Sequence, residues 1–170
     1  HVRSRRQRQM CIRDSTYITG QNLDFTVNFS ENVIVDSTGG VPRIAVTLDT
    51  GGTVFAEYVS GSGGSALVFR LTVASGQLDS NGVTLGSTVQ LNGGSIRDAA
   101  GNTTEVNLNS VASTANVNVD GVAPTVTSVT TPLDGSYKAG DVLTFTVNAS
   151  EALQIGALPP RLVLDVGGVT

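Results

Sequence analysis

The stretch YITGQNLDFTVNFSE, residues Tyr17–Glu31, decides the fold because its apolar and polar residues alternate. The apolar residues on one side of this alternation are Leu23, Phe25, Val27 and Phe29. A period of two is the pattern of a β-strand with one buried face. No window of the sequence carries apolar residues at helical spacing, so the pattern predicts an all-β fold.

The same stretch returns at an offset of 120, where residues Tyr137–Glu151 read YKAGDVLTFTVNASE and match it at nine of fifteen positions. The match continues, after a small gap, between VPRIAVTL (Val41–Leu48) and PPRLVLDV (Pro159–Val166). Self-similarity at a fixed period indicates tandem repeats. We therefore predict one repeat at residues 16–120, without its own first strand, and the N-terminal part of the next repeat at residues 121–170.

Further alternating segments, separated by turns rich in Gly, Asn and Asp, complete the first repeat. They predict strands at Arg43–Leu48, Thr53–Val59, Ala66–Val73, Val83–Leu85, Thr88–Leu91, Thr104–Leu108 and Ala115–Val119. Short strands at this rhythm are typical of a Greek-key β-sandwich. Residues 121–170 supply only about three strands, too few to close a sandwich, so we expect them to be poorly ordered or loosely docked.

Residues 1–15, HVRSRRQRQMCIRDS, differ from the rest and hold five of the nine arginines and the only His, Cys and Met. They resemble translated sequencing-adaptor read-through at the ends of metagenomic gene fragments, so we expect a non-native, disordered segment. A basic nucleic-acid-binding arm is the alternative, and a signal peptide would need an apolar stretch of about 7–15 residues. Residues 16–170 carry five bases and 13 acids, and this net charge of about −8 disfavours nucleic acid and anionic membranes as partners.

Residues 16–170 lack the side chains that most catalytic sites require. They contain no His and no Cys, and their only lysine, Lys138, falls in a predicted turn. A nucleophile with its base, or a zinc site, therefore has no candidate. The carboxylates are scattered and no Trp offers a sugar platform, which disfavours glycosidase chemistry. We predict that the chain is not an enzyme, and its short apolar runs predict no membrane insertion.

Four motifs in order carry a family resemblance. They are YVSGSGGSALVF (Tyr58–Phe69), LNGGSIRDAAGN (Leu91–Asn102), VDGVAPTVTSV (Val119–Val129) and YKAGDVLTFTVNASE (Tyr137–Glu151). The chain resembles the bacterial Ig-like repeats of large surface and secreted proteins, of the swimming-motility-associated type found alongside cadherin-like and calcium-binding RTX modules. The resemblance implies Ig-like or cadherin-like sandwiches in tandem, forming an extracellular adhesin stalk at the cell surface that calcium often stiffens.

Calcium is the metal that these residues permit, since it binds six to eight oxygens from carboxylates, amides and backbone carbonyls. An Ig-like topology would bring the end of the second strand and the turn before the last strand to one pole, so we predict a calcium site at each inter-repeat junction. Its candidate ligands are Asp120, Glu151, Glu31, Asp98 and Asn102. The alternative for each is a turn-former that bonds nearby backbone N–H groups, which is the favoured interpretation for the Asp79–Asn81 turn.

These observations favour a non-catalytic spacer of a large extracellular adhesin, stiffened by calcium, whose partners are the neighbouring repeats. The alternative is a ligand- or glycan-binding Ig-like module, appended to a surface protein or a secreted hydrolase and recognising a host-cell or surface ligand. The longest predicted loops, residues 61–65 and 75–82, are small and polar. Binding modules usually carry longer or aromatic loops, so this favours the spacer.

Overall fold

The computed structural model describes residues 15–165, in which every regular element is a β-strand. The predicted all-β fold is thus confirmed for these residues. The chain falls into two compact units that divide between Val122 and Ala123, two residues beyond the predicted repeat boundary. Within residues 15–165 no helix could cross a membrane. The predicted disorder of residues 1–15 falls, apart from Ser15, outside the described residues.

Within residues 15–122 the first unit contains ten strands in three sheets. They are β1 (Ser15–Ile18), β2 (Asn22–Asn28), β3 (Val33–Asp36), β4 (Arg43–Thr47), β5 (Thr53–Ser60), β6 (Ala66–Thr72), β7 (Leu78–Asp79), β8 (Thr84–Gln90), β9 (Ser95–Asp98) and β10 (Val117–Asp120). The five-stranded sheet has the order β2-β6-β5-β4-β8, the three-stranded sheet β1-β10-β7, and β3 pairs with β9. All three sheets contribute to one apolar core, as in a β-sandwich.

The core follows from the alternation in β2. Leu23, Phe25 and Val27 are at most 1 % exposed, whereas Asp24 between them faces solvent. Strand β6 lies antiparallel to β2 and places Phe69 directly opposite Phe25. Two buried aromatic residues are therefore direct cross-strand neighbours near the centre of the pair, and neighbours of this kind stabilise a sheet.

Several predicted strands differ from the observed ones. Val83–Leu85 and Thr88–Leu91 belong to the single strand β8, whose pairing with β4 shifts register, so the expected break is an irregularity within one strand. Thr104–Leu108 forms no strand and only one isolated bridge, between Asn107 and Thr88, and β3 and β9 were not predicted. Ser15, assigned from the sequence to the non-native segment, is the first residue of β1.

The two copies of the repeated motif form the same turn. Each copy has a glycine with positive φ at the same position, Gly20 at 84° and Gly140 at 97°. In the first copy the N–H of Ile18 donates to the side chain of Gln21 at 3.0 Å, and in the second the N–H of Lys138 donates to Asp141 at 2.9 Å. The turn is therefore closed in the same way although the capping residue differs.

The second unit contains β11 (Val126–Thr130) and β12 (Thr146–Ala149), which pair antiparallel. Strand β12 corresponds to residues 26–29 of the first copy and is shorter than β2. None of the described residues 123–165 is buried, and several apolar side chains are more than 85 % exposed: Leu133, Val142, Leu158 and Val163. Residues that form the core of the first unit thus recur in the second without being buried.

Candidate functional site

The turn after β9 is built around Asp98, which is only 5 % exposed. Its two carboxylate oxygens accept hydrogen bonds from the backbone N–H and the side-chain amide of Asn102, both at 2.8 Å. The backbone carbonyl of Asp98 also accepts the N–H of Gly101 at 3.0 Å. The structure thus brings together two of the predicted calcium ligands, and the bonds between them hold a turn.

We expect Asp98→Ala to lower the free energy of unfolding of the first unit by about 2–3 kcal/mol, because the turn loses the two part-buried hydrogen bonds that Asn102 donates to the buried carboxylate. A matched control is Asp36→Ala, since the exposed Asp36 accepts the N–H and hydroxyl of Thr38 in a similar turn. Water can replace that acceptor, so Asp36→Ala should lower the free energy of unfolding by less than Asp98→Ala does. Urea unfolding measures both variants, and an equal loss would contradict the structural role of the buried carboxylate.

Glu31 lies on a small cleft that is partly open to solvent. The cleft is lined by Phe29, Ser30, Glu31, Val33, Thr104, Glu105, Asn107 and Asn109. Val33, the first residue of β3, is opposite Asp98, the last residue of β9, so Glu31 and Asp98 lie towards the same end of this strand pair. Glu105 was not predicted as a ligand. Its segment alternates apolar and polar residues, and this pattern indicates only which apolar residues are buried.

Calcium takes six to eight oxygen ligands. Within residues 15–165, no three side chains among Asp, Glu, His and Cys are grouped closely enough to hold an ion. The cleft offers the carboxylates of Glu31 and Glu105 and the amide oxygens of Asn107 and Asn109, which are the right chemical type. These four side chains offer at most six oxygens, the lower end of what calcium takes, and calcium at the repeat junction stays a prediction.

The two remaining predicted ligands belong to different units. Asp120 ends β10, and its Oδ1 accepts the N–H of Val122 at 3.3 Å. Glu151 follows β12 in the second unit and is exposed. Asp120 therefore has a local role in the chain that leaves the sandwich.

The Asp79–Asn81 turn is held by Asp49, which sequence reasoning did not single out. The N–H and hydroxyl of Ser80 donate to Asp49 at 3.0 and 3.1 Å, and the amide of Asn81 donates at 2.8 Å. The backbone N–H of Ser80, together with these side chains, holds the pKa of Asp49 below its ordinary value. Asp79 is 3 % exposed, and its Oδ1 has no hydrogen-bond partner among residues 15–165.

The first and last strands of the first unit are paired with each other. Strands β1 and β10 run parallel, with Ser15 opposite Val117 and Ile18 opposite Asp120. Just beyond the ladder, the hydroxyl of Thr19 donates to the carbonyl of Gly121 at 3.2 Å. Both ends of the unit are therefore joined by one continuous set of contacts.

Gly121 extends this junction to the connection before β7. Its N–H donates to the carbonyl of Gln77 at 2.7 Å, and its carbonyl accepts the N–H of Gly76 at 2.8 Å. A Cβ at Gly121 would lie 2.4 Å from the carbonyl oxygen of Ala74. The chain leaving the sandwich is thus packed closely against a neighbouring loop.

Comparison with protein-family models, curated proteins and solved structures found no match to this chain.

Proposed function

We propose that the chain is a non-catalytic, load-bearing spacer of a large extracellular adhesin, an Ig-like repeat whose partners are the neighbouring repeats. The observation that carries the proposal is the parallel pairing of β1 with β10, the strands at the two ends of the first unit. A spacer in a stalk has to transmit tension from one end of each repeat to the other. The pairing places hydrogen bonds directly between those two ends.

The direction of the strands decides how the ladder carries force. Tension applied at the two ends of the unit draws β1 towards its N-terminus and β10 towards its C-terminus. Because the strands are parallel, these forces oppose each other along the strand axis. Bonds in a parallel ladder are evenly spaced, so the force loads them together in shear instead of breaking them one at a time.

The repeated positions also fit a scaffold role. Leu23, Phe25 and Val27 build the core of the first unit, Gly20 makes its turn, and all four recur in the second copy. The exposed position Asp24 is replaced by Thr in the second copy. The sequence therefore repeats the framework, and along the outward face of this strand only Asp24 differs, because Thr26, Asn28 and Ser30 also recur.

Single-molecule pulling along two directions tests the proposal. Handles attached through Ser15→Cys and Val122→Cys, with Cys11→Ser, would shear the β1–β10 ladder. The matched protein replaces Val122→Cys by Asn116→Cys, beside Val117, so that force applied at one end of the ladder unzips it. We expect a severalfold higher unfolding force in shear. Equal forces along the two directions would contradict a load-bearing ladder.

Calcium stiffening is the second part of the proposal, and thermal unfolding of the full chain tests it. An ion that binds only the folded state stabilises it by mass action, by about 2.7 kcal/mol at one hundred times the dissociation constant. We expect millimolar calcium to raise the Tm relative to EDTA, and Asp120→Ala to reduce the rise. An unchanged Tm would leave a spacer without calcium and make the predicted ligands turn-formers.

A further inference from the structure

The outer face of the five-stranded sheet carries an aromatic side chain that the core does not use. Strand β5 is the middle strand of this sheet, and its residues Val54 and Ala56 face the core. Phe55 lies between them and therefore faces outward, where it is only half-buried. The Cζ of Arg43 lies over its ring, 3.8 Å from the ring centre. The centre of the sheet thus presents part of a phenylalanine ring to solvent.

The surface beside Phe55 is low, because the next two strands carry very small residues there. Ala45 of β4 is opposite Phe55 and lies between the buried Ile44 and Val46, so its methyl group also faces outward. On β8, a Cβ at Gly86 would lie 3.2 Å from the Cβ of Ala45, so Gly86 continues the same low surface. Neighbouring strands are about 4.8 Å apart, so this sheet-face depression spans roughly 10 Å.

Polar side chains border the sheet-face depression at both ends. At one end Arg43 and Gln90 are opposite each other, and the Nε of Arg43 donates to the Oε1 of Gln90 at 3.3 Å. At the other end Thr47 is opposite both Thr53 and Thr84, and the hydroxyls of Thr47 and Thr53 are 3.4 Å apart. All of these residues except the half-buried Arg43 are exposed. The depression therefore has an aromatic wall, a floor without bulk and two polar ends.

Glu57 adds a hydrogen-bond acceptor that no other side chain uses. It is exposed and has Arg43 and Arg70 as its cross-strand neighbours. Arg70 forms two hydrogen bonds of 2.7 Å with Asp24 instead. Within residues 15–165, the carboxylate of Glu57 and the Nη groups of Arg43 have no hydrogen-bond partner. This part of the sheet thus offers a donor and an acceptor, and its two acids and two bases cancel in charge.

We propose that the sheet-face depression binds an uncharged carbohydrate. A hexose ring has an apolar C–H face, whose positively polarised hydrogens are attracted to an aromatic ring such as that of Phe55. Its hydroxyl groups both donate and accept, so that one sugar can donate to Glu57 and accept from Arg43. Binding sites commonly combine an apolar surface with a few polar groups that fix orientation.

The charges and the pairing of the strands disfavour other ligands. An anion would lie beside the carboxylate of Glu57, and a cation beside the guanidinium groups of Arg43 and Arg70. An extended peptide that adds a strand needs free backbone groups, whereas β4 and β5 are paired on both sides. The proposal does not depend on the load-bearing role, because β1 and β10 belong to a different sheet.

Titration of neutral oligosaccharides into the ¹⁵N-labelled full chain tests the site. The probes are hexamers of glucose, mannose, galactose and N-acetylglucosamine, and the charged comparison is a hexamer of galacturonic acid. We expect at least one neutral probe to give saturable shifts at the amides of Ala45, Phe55 and Gly86. Strand β9, in another sheet, should not respond. Absence of saturable shifts with all four neutral probes, or shifts with the charged probe alone, would overturn the proposal.

Variants of the sheet face test the role of the ring and of the depression. With the neutral probe that binds, Phe55→Thr should weaken affinity by about tenfold or more. Ala45→Gln keeps the ring but fills the depression, and should weaken binding as strongly. The matched control is Val68→Thr, which removes a half-buried apolar group from the outer face of β6. Affinity in this control should stay within about twofold of the unchanged chain.

Folding of the variants is checked independently of binding. Each one should keep the amide spectrum of the unchanged chain outside β4, β5, β6 and β8, because the substituted side chains face away from the core. Equal losses of affinity for Val68→Thr and Phe55→Thr would show that the ring is not the binding surface. Unchanged affinity in both Phe55→Thr and Ala45→Gln would likewise contradict the proposed site.

Discussion

Phe25→Ala is expected to lower the free energy of unfolding of the first unit by about 3–5 kcal/mol, the usual cost of truncating a buried phenylalanine. Phe25 is fully buried and lies opposite the equally buried Phe69. Removing the ring leaves a cavity at the centre of the β2–β6 pair. Strands β2 and β6 are paired along their length, so the surrounding residues can collapse only partly into that cavity.

Phe145→Ala is the matched control, because Phe145 occupies the same position of the repeated motif and is followed by the same three residues, Thr, Val and Asn. It is only partly buried, and no residue of the described second unit is fully buried. We expect this variant to cost on the order of 1 kcal/mol or less. Urea unfolding followed by circular dichroism measures both variants. Equal losses would mean that the second unit has a core as well packed as the first.

Gly121→Ala is expected to cost about 2–3 kcal/mol, because its new methyl group would meet backbone atoms instead of a flexible side chain. The Cβ would lie 2.4 Å from the carbonyl oxygen of Ala74 and 2.9 Å from that of Gln77. To relieve these contacts, the chain that follows β10 has to move away from the loop before β7. The same movement breaks the 2.7 Å hydrogen bond from Gly121 to Gln77.

Gly64→Ala provides the control within the same unit. A Cβ at Gly64 meets only the carbonyl oxygen of Gly61, at 3.3 Å, which requires a small adjustment. Thermal unfolding should therefore show a large decrease in Tm for Gly121→Ala and a small one for Gly64→Ala. We also expect Gly121→Ala to lower the unfolding force in shear. Two equal decreases in Tm would contradict the packing described around Gly121.

Local alternation predicted the parts of the fold in which one face of a strand is buried. The core positions of β2 follow directly from a period of two, as do Ile44 and Val46 in β4. The same pattern failed in β3, where Val33 is fully buried and the adjacent Ile34 is 53 % exposed. Three apolar residues in a row, Val33 to Val35, conceal which of them faces the core.

The alternation of apolar and polar residues indicates which side chains are buried, but it does not indicate which strands pair. Val106 and Leu108 pack against the core as their pattern indicates, yet their segment forms only one isolated bridge, at Asn107. The sequence likewise places Asp98 and Asn102 on either side of a turn, which the structure shows as a hydrogen-bonded pair. The sequence did not predict that Glu105 lines the same cleft as Glu31, because this arrangement depends on how segments distant in sequence pack together.

The pairing of β1 with β10 also has a consequence for the order in which the first unit folds. Its contacts join residues as far as 102 positions apart, as between Thr19 and Gly121. Closing so long a loop is costly in chain entropy, and such distant contacts slow folding. During synthesis, β1 has to wait for almost the whole unit before its partner strand exists. We therefore expect β1 to be incorporated last and to fold more slowly than the β2–β6 pair.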